Sequence, residues 1–473
     1  METLQRTANR GSISTGGYEI DNSLKFESDN SEYLYITRDA SGSDWNRLKW
    51  TASMWVKHIP TESSTTSPKE RMFGASDTQS DFDIRFRGQP IGFRNNSDVD
   101  GVAELRTTAV YRDYSAWYHV VAVWDTANAT AGNRMRLYVN GEEVTDFSTD
   151  TQPSQNEKSI WGKKNDGTDG NVVHTIGAQF NAVTGFGQGF NGYMAEIHWV
   201  EGEALAPTEF GETDSDTAIW IPKEYTGSYG TNGFYLDFSN SGSLGADASG
   251  NGNNWTLNNI TAVDQATDTP TNNGCTLNVL ASLEGSNDIT EGALVSTGAS
   301  GSFNGTYGTM GIDPFNSTVD WYWEIEASST TNGSSDDIGI GWIKESRITS
   351  GSTAFNNVYA DGISRYSSQT TTSAGDIWGV LLETGTTPVF KLYRNDSLIH
   401  TSTHGSGGVS FDTLMFPYIT VKGTGTDARL NFLNPASSFS IASGNADPNG
   451  YGNFEFDPKG GYALCTKNLA EYG

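Results

Sequence analysis

A chain of 473 residues is too long for one compact core, so two domains are expected. Its 29 Lys and Arg stand against 57 Asp and Glu, a net charge of −28 that repels phosphate backbones and anionic lipid and excludes nucleic acid as a partner. Fifty-four glycines, 12% aromatic residues and no long stretch with helical periodicity point to an all-β protein rich in turns.

The start, METLQRTANRGSIS, has no apolar h-region, and no apolar run in the chain is long enough to span a bilayer. Neither Sec secretion nor membrane insertion is expected. Residues 1–20 are polar and glycine-spotted, and read as an arm that orders on a partner. From Leu24 the chain alternates strand after strand: LKF, YLYI, KWTASMWVK, RMFGA, WYHVVAVWD, MRLYVNG and NGYMAEIHWV. Trp117 to Trp124 is apolar at both alternating sets, the pattern of a central strand covered on both faces. In MRLYVNGEEV, residues 135–144, Asn140-Gly141 supplies the positive φ angles of a tight type I′ hairpin. These strands predict a first sandwich over 21–223.

Residues 224–274 then read as two short strands around a Gly/Asn-rich turn, followed by the linker TDTPTNN. Beyond it, WYWEIEAS, DDIGIGWI, GDIWGVLLE, PVFKLYRND, LMFPYITV and ARLNFL predict a second sandwich over 275–473. Within it FKLYRNDSLI, residues 390–399, echoes the first hairpin, but Asn395-Asp396 lacks the glycine and is a weaker turn. The only segments that could pass for helix are short, such as Ala463 to Leu469. Cys275 and Cys465 flank this half; they pair if the first and last strands of the domain lie side by side, and stay reduced otherwise.

Residues LKFESDNSEYLYI, WTASMWVK, WYHVVAVWD, RLYVNGEEV and GYMAEIHWVEGEAL resemble the LamG-like members of the concanavalin A-like lectin superfamily, and FYLDFSNSGSLGADASGNGNNWTL resembles a turn common there. WYWEIE, IGIGW, GDIWGVLLE, KLYRNDSLI, FPYITV and LNF resemble a SPRY domain. Both families fold as two antiparallel sheets packed face to face, so the resemblance implies tandem β-sandwiches of the concanavalin A-like jelly-roll type. The order of the two, closing with GGYALCTKNLAE, resembles fibre and appendage proteins of marine bacteriophages. It implies a non-enzymatic virion component, a tail fibre or related appendage, made in the host cytoplasm. Its partners would be other virion proteins, through the arm, and a host-surface glycan, and its assembly a homotrimer. The alternative is a purely structural capsid or tail decoration held by protein contacts.

For glycan binding, planar aromatics stack on sugar C–H faces beside fixed polar groups. The loop aromatics outside strand patterns are Trp45, Trp161, Tyr359 and Tyr366, with Arg365 beside the last. Trp55, Trp124, Trp323 and Trp378 lie in strands and read as packing residues. In ADASGNGNN, Asp247, Asn251 and Asn253 are oxygen-bearing candidates for Ca²⁺, an ion often carried by related lectin-like sandwiches; the same residues also make good turns. Asp98 and Asp100 in NNSDVDG are a lesser candidate. Glu324-Ile325-Glu326 places two carboxyls on one strand face, but the glucanase pattern calls for a further acid where this chain continues Ala-Ser-Ser-Thr, so solvent-facing glutamates are expected. His400 and His404 in HTSTH would stand roughly 13 Å apart on a strand, beyond a shared ion. His119 and His198 sit in apolar strands and read as satisfied core residues. No catalytic residue is assigned.

Overall fold

The computed structural model describes residues 17–37, 44–60, 69–77, 79–164, 172–181, 185–280, 288–298, 304–329, 337–350, 366–367, 373–406 and 409–473. The chain divides into two compact units, 1–271 and 272–473, each built of antiparallel sheets.

In the first unit one sheet runs in the order Glu142–Glu143, Met135–Val139, Tyr118–Asp125, Lys49–His58, Gly192–Glu201, Ser23–Phe26, Gln265–Ala266, with Phe234–Leu236 also on Gly192–Glu201. The other runs Phe147–Thr151, Gly101–Thr107, Ile91–Ser97, Asp81–Arg87, Lys69–Ser76, Val173–Ile176, Tyr33–Thr37, Thr256–Asn258. Alternate residues of both sheets meet in one core, where Trp50 lies parallel to Trp124 (6.3 Å, 7°) and edge-on to Phe82 (5.6 Å). Tyr118–Asp125 is central and buried on both faces, because the segment after residue 203 covers the sheet's outer side with Phe210, Tyr225 and Tyr229.

The two short strands of residues 224–274 do not pair with each other, and TDTPTNN, which holds the junction of the two units, is an ordered connection. Phe234–Leu236 pairs with the first sheet and Thr256–Asn258 with the second, while Trp255 is buried between them. All of TDTPTNN but Thr267 is buried as well: Asp268 bonds Lys57 Nζ (2.7 Å) and Trp117 Nε1 (3.0 Å), and Thr271 Oγ1 accepts the Ile20 N–H. Asp268 and Thr271 find their partners inside the protein, and a buried polar clasp of this kind has the composition of a linker. Of the N-terminal arm, residues 1–16 lie outside the described residues; Tyr18 belongs to the first unit, its hydroxyl donating to Glu196 Oε2 (2.9 Å).

In the second unit one sheet runs Asp288–Thr290, Val295–Thr297, Asp427–Asn431, Trp321–Ala327, Ile377–Glu383, Val389–Arg394, Ser397–Thr403, and the other Asn304–Tyr307, Met415–Lys422, Asp337–Lys344, Tyr366–Ser367. Among the described residues this unit has two short helices, Glu345–Ser350 and, near the expected position, Thr466–Tyr472. Cys275 and Cys465 do lie on adjacent backbone, the Cys275 N–H donating to Leu464 O (2.9 Å), yet both are buried free thiols, and burial pushes Cys465 up to about 12.

The repeated hairpin rests on its asparagine. The Asn140 N–H donates to His119 O (2.8 Å) and its Oδ1 accepts the His119 N–H (2.8 Å); Asn395 does the same to Ile377 (2.8 and 3.0 Å). The second turn forms without glycine, with Asn395 and Asp396 at φ 46° and 67°. In the first, Gly141 has φ 82° and a second constraint: a Cβ there would lie 2.4 Å from the Trp220 ring. That ring stacks on His119 (5.9 Å, 21°), which is stacked in turn on Trp55 (4.8 Å). Trp220 Nε1 donates to His119 Nδ1 and His119 Nε2 bonds Ser53 Oγ, while burial pulls the imidazole down to about 3, so it stays neutral. Gly141→Ala is therefore expected to cost about 2–3 kcal/mol, left-handed strain plus overpacking, read as a lowered denaturation midpoint with unchanged m-value.

Candidate functional site

The structure places Trp45 and Trp161 in the core, at 3% and 1% exposure. Their rings lie 6.1 Å apart, and Trp45 packs on Trp199 (4.7 Å) while Trp161 packs on Phe73 (5.1 Å). A ring enclosed this way has no face left for a sugar, so both are packing residues. Tyr359 and Arg365 lie outside the described residues, and Tyr366 enters as one residue of the two-residue strand paired with Asp337–Lys344.

The calcium candidates are also reassigned. Asp247 Oδ1 accepts the Tyr235 and Ser249 N–H groups and Oδ2 the Asn253 N–H, so its lone pairs point into the turn. Asn251 Nδ2 donates to Gly230 O and Gly233 O, and Asn253 Nδ2 to Thr231 O and Gly233 O. These side chains staple the turn to the strand Phe234–Leu236, and a cation would have to displace those donors. Asp98 accepts the Ser80 hydroxyl in a similar turn. Among the described residues no group of three or more His, Cys, Asp or Glu is arranged for a metal ion.

Glu324 and Glu326 do not face solvent. Trp321, Trp323 and Ile325 fill the core side of their strand, and the other side is covered by the C-terminal segment. Glu324 is fully buried, and its carboxylate accepts the Glu455 N–H, the Phe456 N–H (both 2.8 Å) and the Tyr322 hydroxyl (3.0 Å). Glu326 faces Arg429 at 3.5 Å. Burial pushes Glu324 from 4.5 up to about 7 against the pull of its donors. The folded state thus keeps a proton that the unfolded chain releases. This contribution to stability is full below about pH 4.5 and is lost as pH rises through 7. Thermal unfolding between pH 5 and 7.5 should show the wild type losing stability, at most about 1.4 kcal/mol per pH unit from this group, and Glu324→Gln losing that share of the slope.

What the fold does assemble is a charged face on the second sheet of the first unit. In DFDIRFR, residues 81–87, Phe82, Ile84 and Phe86 point into the core, so Asp81, Asp83, Arg85 and Arg87 point outward. Register sets Asp83 beside Arg94 and Arg94 beside Glu104 across three strands, and Arg71 beside Arg85 on the other flank. Arg85 Nη1 and Arg71 Nη2 reach Asp83 Oδ2 at 2.6 and 3.2 Å; Arg94 Nη1 reaches Asp81 Oδ2 at 2.5 Å; Arg85 Nη2 reaches Glu104 at 3.4 Å. Asp83 is fully covered and burial raises its carboxyl against the pull of the two guanidiniums, whereas Arg94 and Asp81 stay about one-fifth exposed. Among the described residues, three buried atoms of this network, Arg71 Nη1, Asp83 Oδ1 and Arg85 Nε, find no hydrogen-bond partner.

A flap borders the face. The chain leaving Val173–Ile176 crosses so close above Gly74 that a Cβ there would meet Ala178 O at 2.6 Å. The flap's return lays Phe186 on Tyr33 (5.2 Å, 22°) and Gln188 Oε1 against Arg71 Nε (2.9 Å). Arg94 and Asp81, about one-fifth exposed and held rigid by their buried neighbours, with stacked aromatics alongside, can donate to and accept from hydroxyls of one ligand. The sequence carried this as charge of both signs at every second position of a strand, a pattern that also suits an ordinary solvated face.

Residues 28–210, less than half of the chain, match the family described as the Concanavalin A-like lectin/glucanases superfamily (Laminin_G_3). No curated protein matches the chain. Among solved structures, it is similar to a human SPRY domain (13% identity, 29% of this chain and 90% of that one, TM-score 0.20). It is similar also to the CBM40 of a Ruminococcus gnavus IT-sialidase bound to alpha2,6 sialyllactose (14%, 41% and 97%, 0.27). A third is tailspike protein 2 of the Escherichia coli O157:H7 bacteriophage CAB120 (10%, 42% and 26%, 0.23). Likenesses this distant transfer no residue roles. With its two facing antiparallel sheets and the family match across them, the first unit has the LamG/concanavalin A-like lectin fold.

Proposed function

We propose that this protein is a non-enzymatic carbohydrate-binding protein, whose first sandwich holds a glycan on the charged outer face around Arg94 and Asp81. The observation that carries the reading is that network on a lectin-type fold: preorganised donors and acceptors, with Arg94 and Asp81 partly open to solvent. Resemblance of the two sandwiches in this order supports the setting we propose, a bacteriophage virion fibre or tail appendage. There the protein would be a homotrimer, made in the host cytoplasm, with the N-terminal arm meeting other virion proteins and the sandwiches meeting a host-surface glycan.

The test is a glycan array and calorimetry on the purified full chain. Arg94→Ala should weaken the best glycan about tenfold, the loss of one charge-assisted bidentate contact, with little change in melting temperature because Arg94 is partly exposed. Wild-type affinity retained by Arg94→Ala and by Asp81→Ala would remove the face from consideration. The structural-decoration reading draws on Ser397–Thr403, an uncharged sheet-edge strand exposing Leu398 (53%) and Ile399 (38%). A folded oligomer that binds no glycan but loses assembly on Leu398→Lys would favour it.

A further inference from the structure

The first unit has a second concavity, separate from the charged face. It is a groove of about 450 Å³ between the crossing segment after Gly101–Thr107 and the hairpin of Met135–Val139 with Glu142–Glu143. Its floor is apolar: Val110 is 45% exposed, Val144 is half-buried, and the half-buried Tyr111 ring is braced edge-on against Tyr118 (5.5 Å, 79°). The Tyr111 backbone is fixed as well, its N–H donating to Gln89 O (3.0 Å). Its rim carries Asp113, Glu142 and Glu143 against one exposed guanidinium, Arg112.

We propose that this groove is a second glycan subsite, for sugar residues that bear no acidic group. The inference rests on the reading of the first unit as a glycan-binding sandwich. A braced tyrosine beside exposed valine matches the C–H face of a pyranose, and rim carboxylates accept from its hydroxyls. Size agrees, since small-ligand sites run from roughly 300 to 1,000 Å³. Charge sets the selectivity: three carboxylates to one guanidinium, on a chain of net charge −28, repel uronates, sialic acids and sulfated sugars both on approach and in the groove. The carboxylates here act as a filter on a site made by the aromatic and aliphatic floor.

The experiment uses the full chain on an array of neutral, uronate, sialylated and sulfated oligosaccharides. It compares the wild type with Tyr111→Ala, with the pair Glu142→Lys and Glu143→Lys, and with Arg94→Ala. The expected result is neutral probes bound above acidic ones, a tenfold or greater loss of the neutral signal in Tyr111→Ala, and at least a fivefold gain for acidic probes in the lysine pair. All four positions are partly or fully solvent-facing, so melting temperatures should stay near wild type. Loss of binding in Arg94→Ala alone overturns the groove and leaves the proposed function standing; loss in Tyr111→Ala alone supports the groove against the charged face. Wild-type preference for acidic probes, unchanged in the lysine pair, overturns the selectivity, and a wild type that binds no probe overturns both.

Discussion

Asp268→Ala should destabilise the first unit by about 3–5 kcal/mol, among the largest effects of any single substitution in the chain. Lys57 lies on the central strand Lys49–His58 with its side chain fully covered, and its ammonium sits 2.7 Å from Asp268 Oδ2 and 5.6 Å from the Tyr193 ring centre. The other carboxylate oxygen takes the Trp117 indole N–H, and the Asp268 carbonyl takes the Ser23 hydroxyl (2.6 Å). Alanine would leave an ammonium and an indole donor in a dry site, and would free the segment that lays Gln265–Ala266 against Ser23–Phe26. The variant Lys57→Met with Asp268→Leu should recover most of the loss, retaining only the cost of the orphaned indole, about 1–3 kcal/mol. Thermal unfolding with hydrogen exchange resolved to peptides would localise the effect to 17–60 and 192–271. A melting temperature unchanged in Asp268→Ala would show that TDTPTNN, residues 267–273, is a true linker.

That clasp also shows what sequence alone could and could not reveal. Strand positions were legible because alternation in WYHVVAVWD or MRLYVNG is a local property, and the Asn-led hairpin was legible twice over. TDTPTNN was misread because polar residues satisfied by distant partners have the same composition as polar residues satisfied by water. Glu324 was misread for the same reason: alternation gives the face a side chain points to, and only the tertiary structure shows that Glu455 and Phe456 return to cover it. The charged face of Arg71, Asp83, Arg85, Arg94 and Glu104 is the converse case, since its interest arises from cross-strand register over four strands that no single stretch encodes.

Trp161→Ala separates the two readings of loop aromatics most sharply. As a sugar platform, Trp161 would be dispensable for folding, and its loss would abolish binding at constant melting temperature. In the structure it joins five rings, Trp45, Phe73, Phe82, His174 and Trp255, at 5.1–6.2 Å between centres. Next to it Gly162 holds φ 87°, its carbonyl accepting the Trp45 N–H (3.0 Å) and its own N–H donating to His174 Nε2 (2.9 Å). Truncation would empty a large volume between the sheets and unseat Trp255, whose segment ties both sheets together. The expected loss is about 3–5 kcal/mol, set by the missing contacts and by how little so interlocked a site can collapse. Guanidinium denaturation followed by tryptophan fluorescence would read it, and Tyr111→Ala serves as the contrast, expected to lose ligand and keep the fold. Should Trp161→Ala keep its midpoint and lose glycan, the ring belongs to the binding surface and the core assignment of this loop falls.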